Sequence, residues 1–171
     1  MIIQKVELRN DRGEESIQFR PGDDLVVKVS YNAQKRIEKP IITLGVLGSN
    51  GSCFTSNMLL DGHRPDFLEG SGQMTCTFRS IPLLPQRYTV KMAVRASNVR
   101  DLIINYQEVA YFSVVADLAD YGYKGEYLDW VRYATHVVIP YEWQLPDGTI
   151  ATVSLSTPSS TIKACLAQCS E

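Results

Sequence analysis

Two histidines, His63 and His136, are all that a chain of 171 residues offers for imidazole chemistry. Neither stands near a nucleophile motif such as G-x-S-x-G, so a histidine-driven relay has no visible partner. The four cysteines contain no C-x-x-C pair, and Cys165-x-x-x-Cys169 has no histidine close by, which leaves metal ligation without a ligand set. Neither G-x-x-x-x-G-K-[ST] nor G-x-G-x-x-G occurs, which excludes nucleotide hydrolysis by this chain alone. No apolar run approaches the roughly 20 residues of a membrane-spanning helix; Val109 to Phe112 and Val137 to Pro140 are typical of what there is. Basic charge is also lacking. Seventeen Lys and Arg stand against 19 Asp and Glu, and residues 1–40 hold eight basic and seven acidic side chains, so no basic tail exists to meet nucleic acid phosphates.

What is present is ordinary globular material: 44% hydrophobic and 21% charged residues in a length that suits one domain. The opening segment, MIIQKVELRN, alternates like a strand and does not resemble a signal peptide. On that footing the cysteines are expected to be reduced and partly buried in a cytoplasmic protein, with no cofactor.

Short alternating runs separated by turn chemistry mark an antiparallel all-β domain. Ile3 to Arg9 is the first run, with a turn at Asn10-Asp11-Arg12-Gly13 and extended chain again at Ser16 to Phe19. Pro21-Gly22-Asp23 is a strong turn, because proline presets φ and glycine accepts positive φ. Leu25, Val27, Val29 and Tyr31 then point one way and Val26, Lys28, Ser30 and Asn32 the other, the period of a half-buried strand. Ile41 to Leu47 follows. Asn50-Gly51 suits a type I′ hairpin turn into Cys53 to Asn57, and the overlapping sequon Asn50-Gly51-Ser52 is read as that turn. Asp61 to Gly72 reads as a long polar loop. Further strands run through Met74 to Phe78, Tyr88 to Val94 and Gln107 to Val115. About seven principal strands by Val115 fit a two-sheet sandwich spanning residues 1–133.

Residues 134–171 read as an extension. Val137 to Trp143 and Thr149 to Leu155 are strand-like, and Ile162, Cys165, Leu166 and Cys169 fall on one face of a short terminal helix. Packing explains that stripe better than metal binding.

With no catalytic equipment in view, the exposed faces carry the functional question. Carboxylates are plentiful, but spacing alone does not set two of them across a glycosidic bond. Sugars are recognised by aromatic rings on their C–H faces and by polar groups on their hydroxyls. The chain has nine Tyr and two Trp, with Tyr111, Tyr127, Trp130 and Tyr133 at outward or loop positions. If the strand around Ile41 to Leu47 neighbours the one around Val109 to Val115, Thr43 and Gly45 lie outward beside Tyr111 and Ser113, edged by Thr55 and Asn57. Two readings of Tyr111 stand side by side: a ligand platform, or a β-favourable residue half covered by the C-terminal segment. The other sheet is expected to expose Lys28, Ser30, Asn32, Thr75, Thr77, Arg79, Lys91 and Arg95, of which Lys91 and Arg95 suit an acidic sugar.

The order and punctuation of these strands carry a resemblance. The segments KVELRNDRG, IQFRPGDDLVVKVSY, IEKPIITLGVLGSNG leading to FTSNML, LLPQRYTVKMAV, VAYFSVV and DYGYKGEYLDW together resemble the C-terminal carbohydrate-binding domain of Wzt-type ATP-binding subunits. Those subunits belong to ABC transporters that export O-antigen polysaccharide. One departure is Gln86, where the family usually has glycine after Leu-Leu-Pro; another is the absence of an ATP-binding half.

The resemblance implies an immunoglobulin-like β-sandwich and a non-enzymatic role. That role is binding the exported polysaccharide, often at its modified non-reducing end, at the cytoplasmic face of the inner membrane. It also implies the transporter's ATP-binding and membrane subunits as partners, and a homodimer with C-terminal strand exchange. Thr149 to Leu155 is the candidate exchanged strand, with Pro146-Asp147-Gly148 as its hinge. No ligand residue transfers from the family. The expected contacts are ring stacking by Tyr111, Tyr127 or Trp130, hydrogen bonds from Thr43, Ser113 and Asn57, and a charged contact from Arg95. Single sites of this kind bind at roughly micromolar to millimolar strength, and pairing two of them raises the effective affinity for a repeating polymer. The alternative is a protein–protein sandwich that docks a transporter subunit or a glycan-modifying enzyme.

Overall fold

The computed structural model describes residues 1–117 and 135–153. Its elements are β1 (Ile2–Arg9), β2 (Gln18–Phe19), β3 (Leu25–Glu38), β4 (Ile41–Gly48), β5 (Gly51–Asn57), α1 (Met58–Asp61), β6 (Phe67–Phe78), β7 (Arg87–Arg95), β8 (Leu102–Val114), β9 (Tyr141–Gln144) and β10 (Ile150–Val153). One sheet has the order β1-β3-β6 and is antiparallel throughout. The other has the order β2-β8-β7-β4-β5, antiparallel except for the short parallel pairing of β2 with β8.

Alternation in each strand sends one set of side chains between the sheets. Leu8, Leu25, Val27 and Val29 from the first sheet meet Leu44, Val46, Tyr88, Val90, Met92, Val94 and Phe112 from the second in one buried cluster. Phe112 packs edge-on to Phe19 at 5.4 Å and stacks with Tyr88 at 5.4 Å. Each such side chain removed from water contributes about 1.5–3 kcal/mol. The result is the all-β, immunoglobulin-like sandwich expected. Cys53 and Cys76 are free and half-buried, and burial pushes both thiols up.

Local chemistry explains where the elements turn. At Arg20-Pro21-Gly22-Asp23 the Asp23 amide donates to Arg20 O at 3.1 Å while Gly22 takes φ +84°, the pattern of a type II turn. The β4–β5 hairpin differs from expectation by one residue. Gly48 pairs with Gly51, so Ser49 and Asn50 form the loop and the positive φ falls after it, on Gly51 at 124°.

The long polar loop at Asp61 to Gly72 is not formed. Asn57 caps the N-terminus of α1, Gly62 ends it in the left-handed region, and β6 begins at Phe67. Three anchors hidden in polar sequence hold this part of β6 against an equally extended β3. The Arg36 guanidinium lies 3.7 Å over the Phe67 ring, Leu68 packs with Ile37, and the Tyr31 ring takes the space above Gly72.

Residues 136–138 return to the sandwich. Val137 bridges Leu83, the Val138 amide donates to Pro82 O at 2.8 Å, and Val138 is buried. Pro146-Asp147-Gly148 forms the turn of a hairpin in which β10 pairs antiparallel with β9. The expected terminal helix and the aromatic stretch 118–134 lie outside the described residues.

Candidate functional site

The outer face of the five-stranded sheet gathers most of the expected binding residues. Because Ile42, Leu44 and Val46 of β4 face the core, Thr43 and Gly45 face outward. In β7 the core set is Tyr88, Val90, Met92 and Val94, which turns Thr89, Lys91, Ala93 and Arg95 outward. In β8, Phe112 and Val114 are buried and Tyr111 and Ser113 are outward. The pairings Thr43 with Asn57 and with Ala93, Thr89 with Tyr111, and Arg87 with Ser113 set these residues into rows across one surface.

Two expectations about this surface are corrected. Strand β4 does not neighbour β8, because β7 lies between them, so Thr43 and Gly45 are not directly beside Tyr111. Lys91 and Arg95 do not belong to the other sheet. They sit on β7, in the middle of the same face as Tyr111 and Thr43. Alternation alone cannot assign a strand to a sheet, and both errors come from that gap. Tyr127 and Trp130 lie outside the described residues.

The centre of the face is a charged relay of hydrogen bonds. Lys91 pairs with Glu108 in register, and Lys91 Nζ stands 3.2 Å from Glu108 Oε1. Tyr111 donates its hydroxyl to Glu108 Oε2 at 2.5 Å. The Tyr111 hydroxyl first, and Lys91 second, hold the Glu108 carboxyl below its ordinary range; the carboxylate in turn pushes the Tyr111 phenol up. Glu108 is therefore an ionised acceptor, and Lys91 and Tyr111 are oriented donors around it.

Other expected contacts have structural employment. Arg95 Nη1 donates to Val99 O at 3.1 Å and braces the β7–β8 turn. The Asn57 side-chain oxygen accepts from Leu59 N at 3.0 Å as the cap of α1. Ser113 and Thr43 are half-buried, and Tyr111 is 54% exposed, open enough to meet a ligand.

Three residues of the face were not singled out from the sequence as a site: Lys91 in this company, Glu108, and Tyr106. The last comes from an irregular strand. β8 shifts register against β7 three times, and at one of these Asn105 and Tyr106 together stand opposite Ala93, one residue more than regular pairing allows. Tyr106 sits at φ 41°, and its hydroxyl rests on Gly45 two strands away. A single glycine inside an apolar strand was the available signal, since it marks a close approach by something else. Among the described residues no group of three His, Cys, Asp or Glu side chains stands close enough to hold a metal ion, and no helix is long and apolar enough to cross a membrane.

Comparison with known proteins places the fold. The crystal structure of the C-terminal domain of Wzt superposes with a TM-score of 0.53 at 10% identity, covering 92% of this chain and 81% of that one. No curated protein matches. A family model, the Wzt C-terminal domain, matches residues 1–127. The family model spans about three-quarters of the chain, and the chain belongs to the Wzt C-terminal domain family, an O-antigen-related domain of ABC exporters.

Proposed function

We propose that this domain binds O-antigen polysaccharide, at or near its non-reducing end, on the outer face of the five-stranded sheet, and so acts as the substrate-recognition domain of an ABC exporter. The observation that carries the reading is the company kept on that face. The exposed Tyr111 ring stands beside the Lys91–Glu108 pair, with Ser113 and Thr89 in adjoining positions. A ring supplies a surface for sugar C–H groups, and an ion pair with spare hydrogen-bonding capacity supplies donors and an acceptor for hydroxyls. The role is recognition without chemistry, and needs no cofactor. Tyr127 and Trp130 are proposed to add stacking surface, and Thr43, Asn57 and Arg95 to line the far end. Family membership supports a place at the cytoplasmic face of the inner membrane, beside the ATP-binding and membrane subunits.

A specific observation supports a second, protein-binding role. The β9–β10 hairpin exposes Tyr141, Trp143, Leu145 and Ile150, with Trp143 at 65%. Exposed apolar residues so concentrated suit a protein partner, and we assign them to a second copy of the chain in a homodimer.

Calorimetric titration of the chain with the O-antigen polysaccharide of its own host tests the first role. Saturable binding that weakens in Tyr111→Ala and in Lys91→Ala is expected. Saturable binding that both variants retain overturns the assignment of the face. Absence of binding, together with capture of the purified transporter subunits, favours the protein–protein reading.

A further inference from the structure

We infer that Tyr106 is the main stacking residue of the glycan face, and that Gly45 and the β8 bulge exist to lay its ring flat. The inference rests on the glycan-binding reading and names the residue that reading lacked. Tyr106 starts on β8, yet a β-carbon at Gly45 on β4 would lie 2.3 Å from its hydroxyl oxygen and 3.3 Å from its Cζ. Strand β7 lies between, so the side chain crosses it. Two strand spacings are roughly 9.6 Å, beyond the reach of a tyrosine standing straight off a regular strand. The extra residue opposite Ala93 and the φ of 41° turn the backbone so that the ring leans inward over the sheet. Positive φ on a bulky residue is costly and persists where the surroundings enforce it.

Only glycine at position 45 leaves room for the ring tip. Gly45 and Ala93 are both buried although both face outward, which fits a ring lying over this part of the sheet. Tyr106 itself keeps 38% of its surface exposed, and its hydroxyl has no hydrogen-bond partner among the described residues. A tyrosine whose ring tip rests on the sheet while part of its surface stays open suits a pyranose that presents an apolar C–H face. In the adjoining row Gly45 pairs with Lys91 and Lys91 with Glu108, so a sugar on Tyr106 has donors and an acceptor within reach of its hydroxyls.

The test compares wild type, Tyr106→Ala, Tyr106→Leu, Tyr106→Phe and Gly45→Ala in calorimetric titrations with lipid-free host O-antigen polysaccharide. Thermal unfolding is measured on each chain. Tyr106→Phe keeps the ring and should bind within about threefold of wild type, whereas Tyr106→Ala should lose about tenfold or more. Tyr106→Leu keeps an apolar cover without a ring. It should lose binding like the alanine variant while unfolding near the wild-type temperature, which separates stacking from a packing role. Gly45→Ala should weaken binding by displacing the ring, and adding it to Tyr106→Ala should cost nothing more. Wild-type affinity in both Tyr106→Ala and Tyr106→Leu overturns the inference and leaves the glycan reading standing. No binding by wild type overturns both.

Discussion

The imidazole of His136 occupies the space a side chain at Gly48 would need: a β-carbon there would meet its ring atoms at 2.8–2.9 Å. From that seat His136 Nε2 accepts the Asn50 amide at 2.9 Å, and Nδ1 stands 2.5 Å from the Gln86 side-chain amide. One glycine thus lets the returning chain at residues 136–138 cap the β4–β5 turn. Gly48→Ala should expel the ring and lower stability by about 1–3 kcal/mol, the range for overpacking a full site. His136→Ala should cost about as much by removing the acceptor of the Asn50 amide and the ring that fills the space over Gly48. The double variant should lose less than the two losses added, which denaturant unfolding of the four chains measures.

Tyr88 ties the same network to the core. Its hydroxyl donates to Leu84 O at 2.7 Å and accepts from Gln86 Nε2 at 3.0 Å, and burial pushes its phenol far up. Tyr88→Phe keeps the stacking on Phe112 but leaves a buried carbonyl without its donor, at a cost of about 1–3 kcal/mol in urea unfolding. An unchanged midpoint would mean that water replaces the hydroxyl.

Much of this was legible in advance, and the reason is alternation. Leu25 to Tyr31 and Tyr88 to Val94 announce both their extended shape and their buried side, because period two is a local property. Pro21-Gly22 is local too, and its turn is where the residues place it. What alternation cannot say is which strand lies beside which, and Lys91 and Arg95 were therefore assigned to the wrong sheet. Nor does it reveal a bulge: Tyr106 reads as one more residue of an irregular run until Gly45 is found beneath it. Phe67 and Leu68 were lost in polar company because Arg36 and Ile37, their partners, are about 30 residues away in the chain.

Acid stability should carry the mark of Glu7. The Lys5 ammonium first and the Arg9 guanidinium second bring its carboxyl from 4.5 down to about 2. A pKa lower in the folded chain than in the unfolded one gives stability that is complete above the unfolded value and fades as pH falls toward the folded one. The difference in melting temperature between wild type and Glu7→Gln should hold above about pH 5 and shrink between there and about pH 2. A difference independent of pH across that window would contradict the ion cluster.

Alkaline titration reports on the centre of the glycan face. Tyr111 should ionise above the ordinary value of 10, because its proton is held by the Glu108 carboxylate. In Glu108→Gln that charge is gone, and the Tyr111 transition, followed by tyrosinate absorbance against a Tyr111→Phe control, should move down. A transition unmoved by the substitution would mean that Tyr111 and Glu108 are not coupled in solution.

Mapping backbone amide shifts in an isotope-labelled chain during titration with host O-antigen polysaccharide locates the ligand directly. The perturbed amides should cluster on the outward rows of β4, β7 and β8, around Gly45, Lys91, Tyr106, Glu108 and Tyr111, and leave Lys28, Ser30 and Thr75 on the opposite sheet unmoved. Saturable shifts centred on the three-stranded sheet, or confined to the β9–β10 hairpin, would contradict glycan recognition by the five-stranded face.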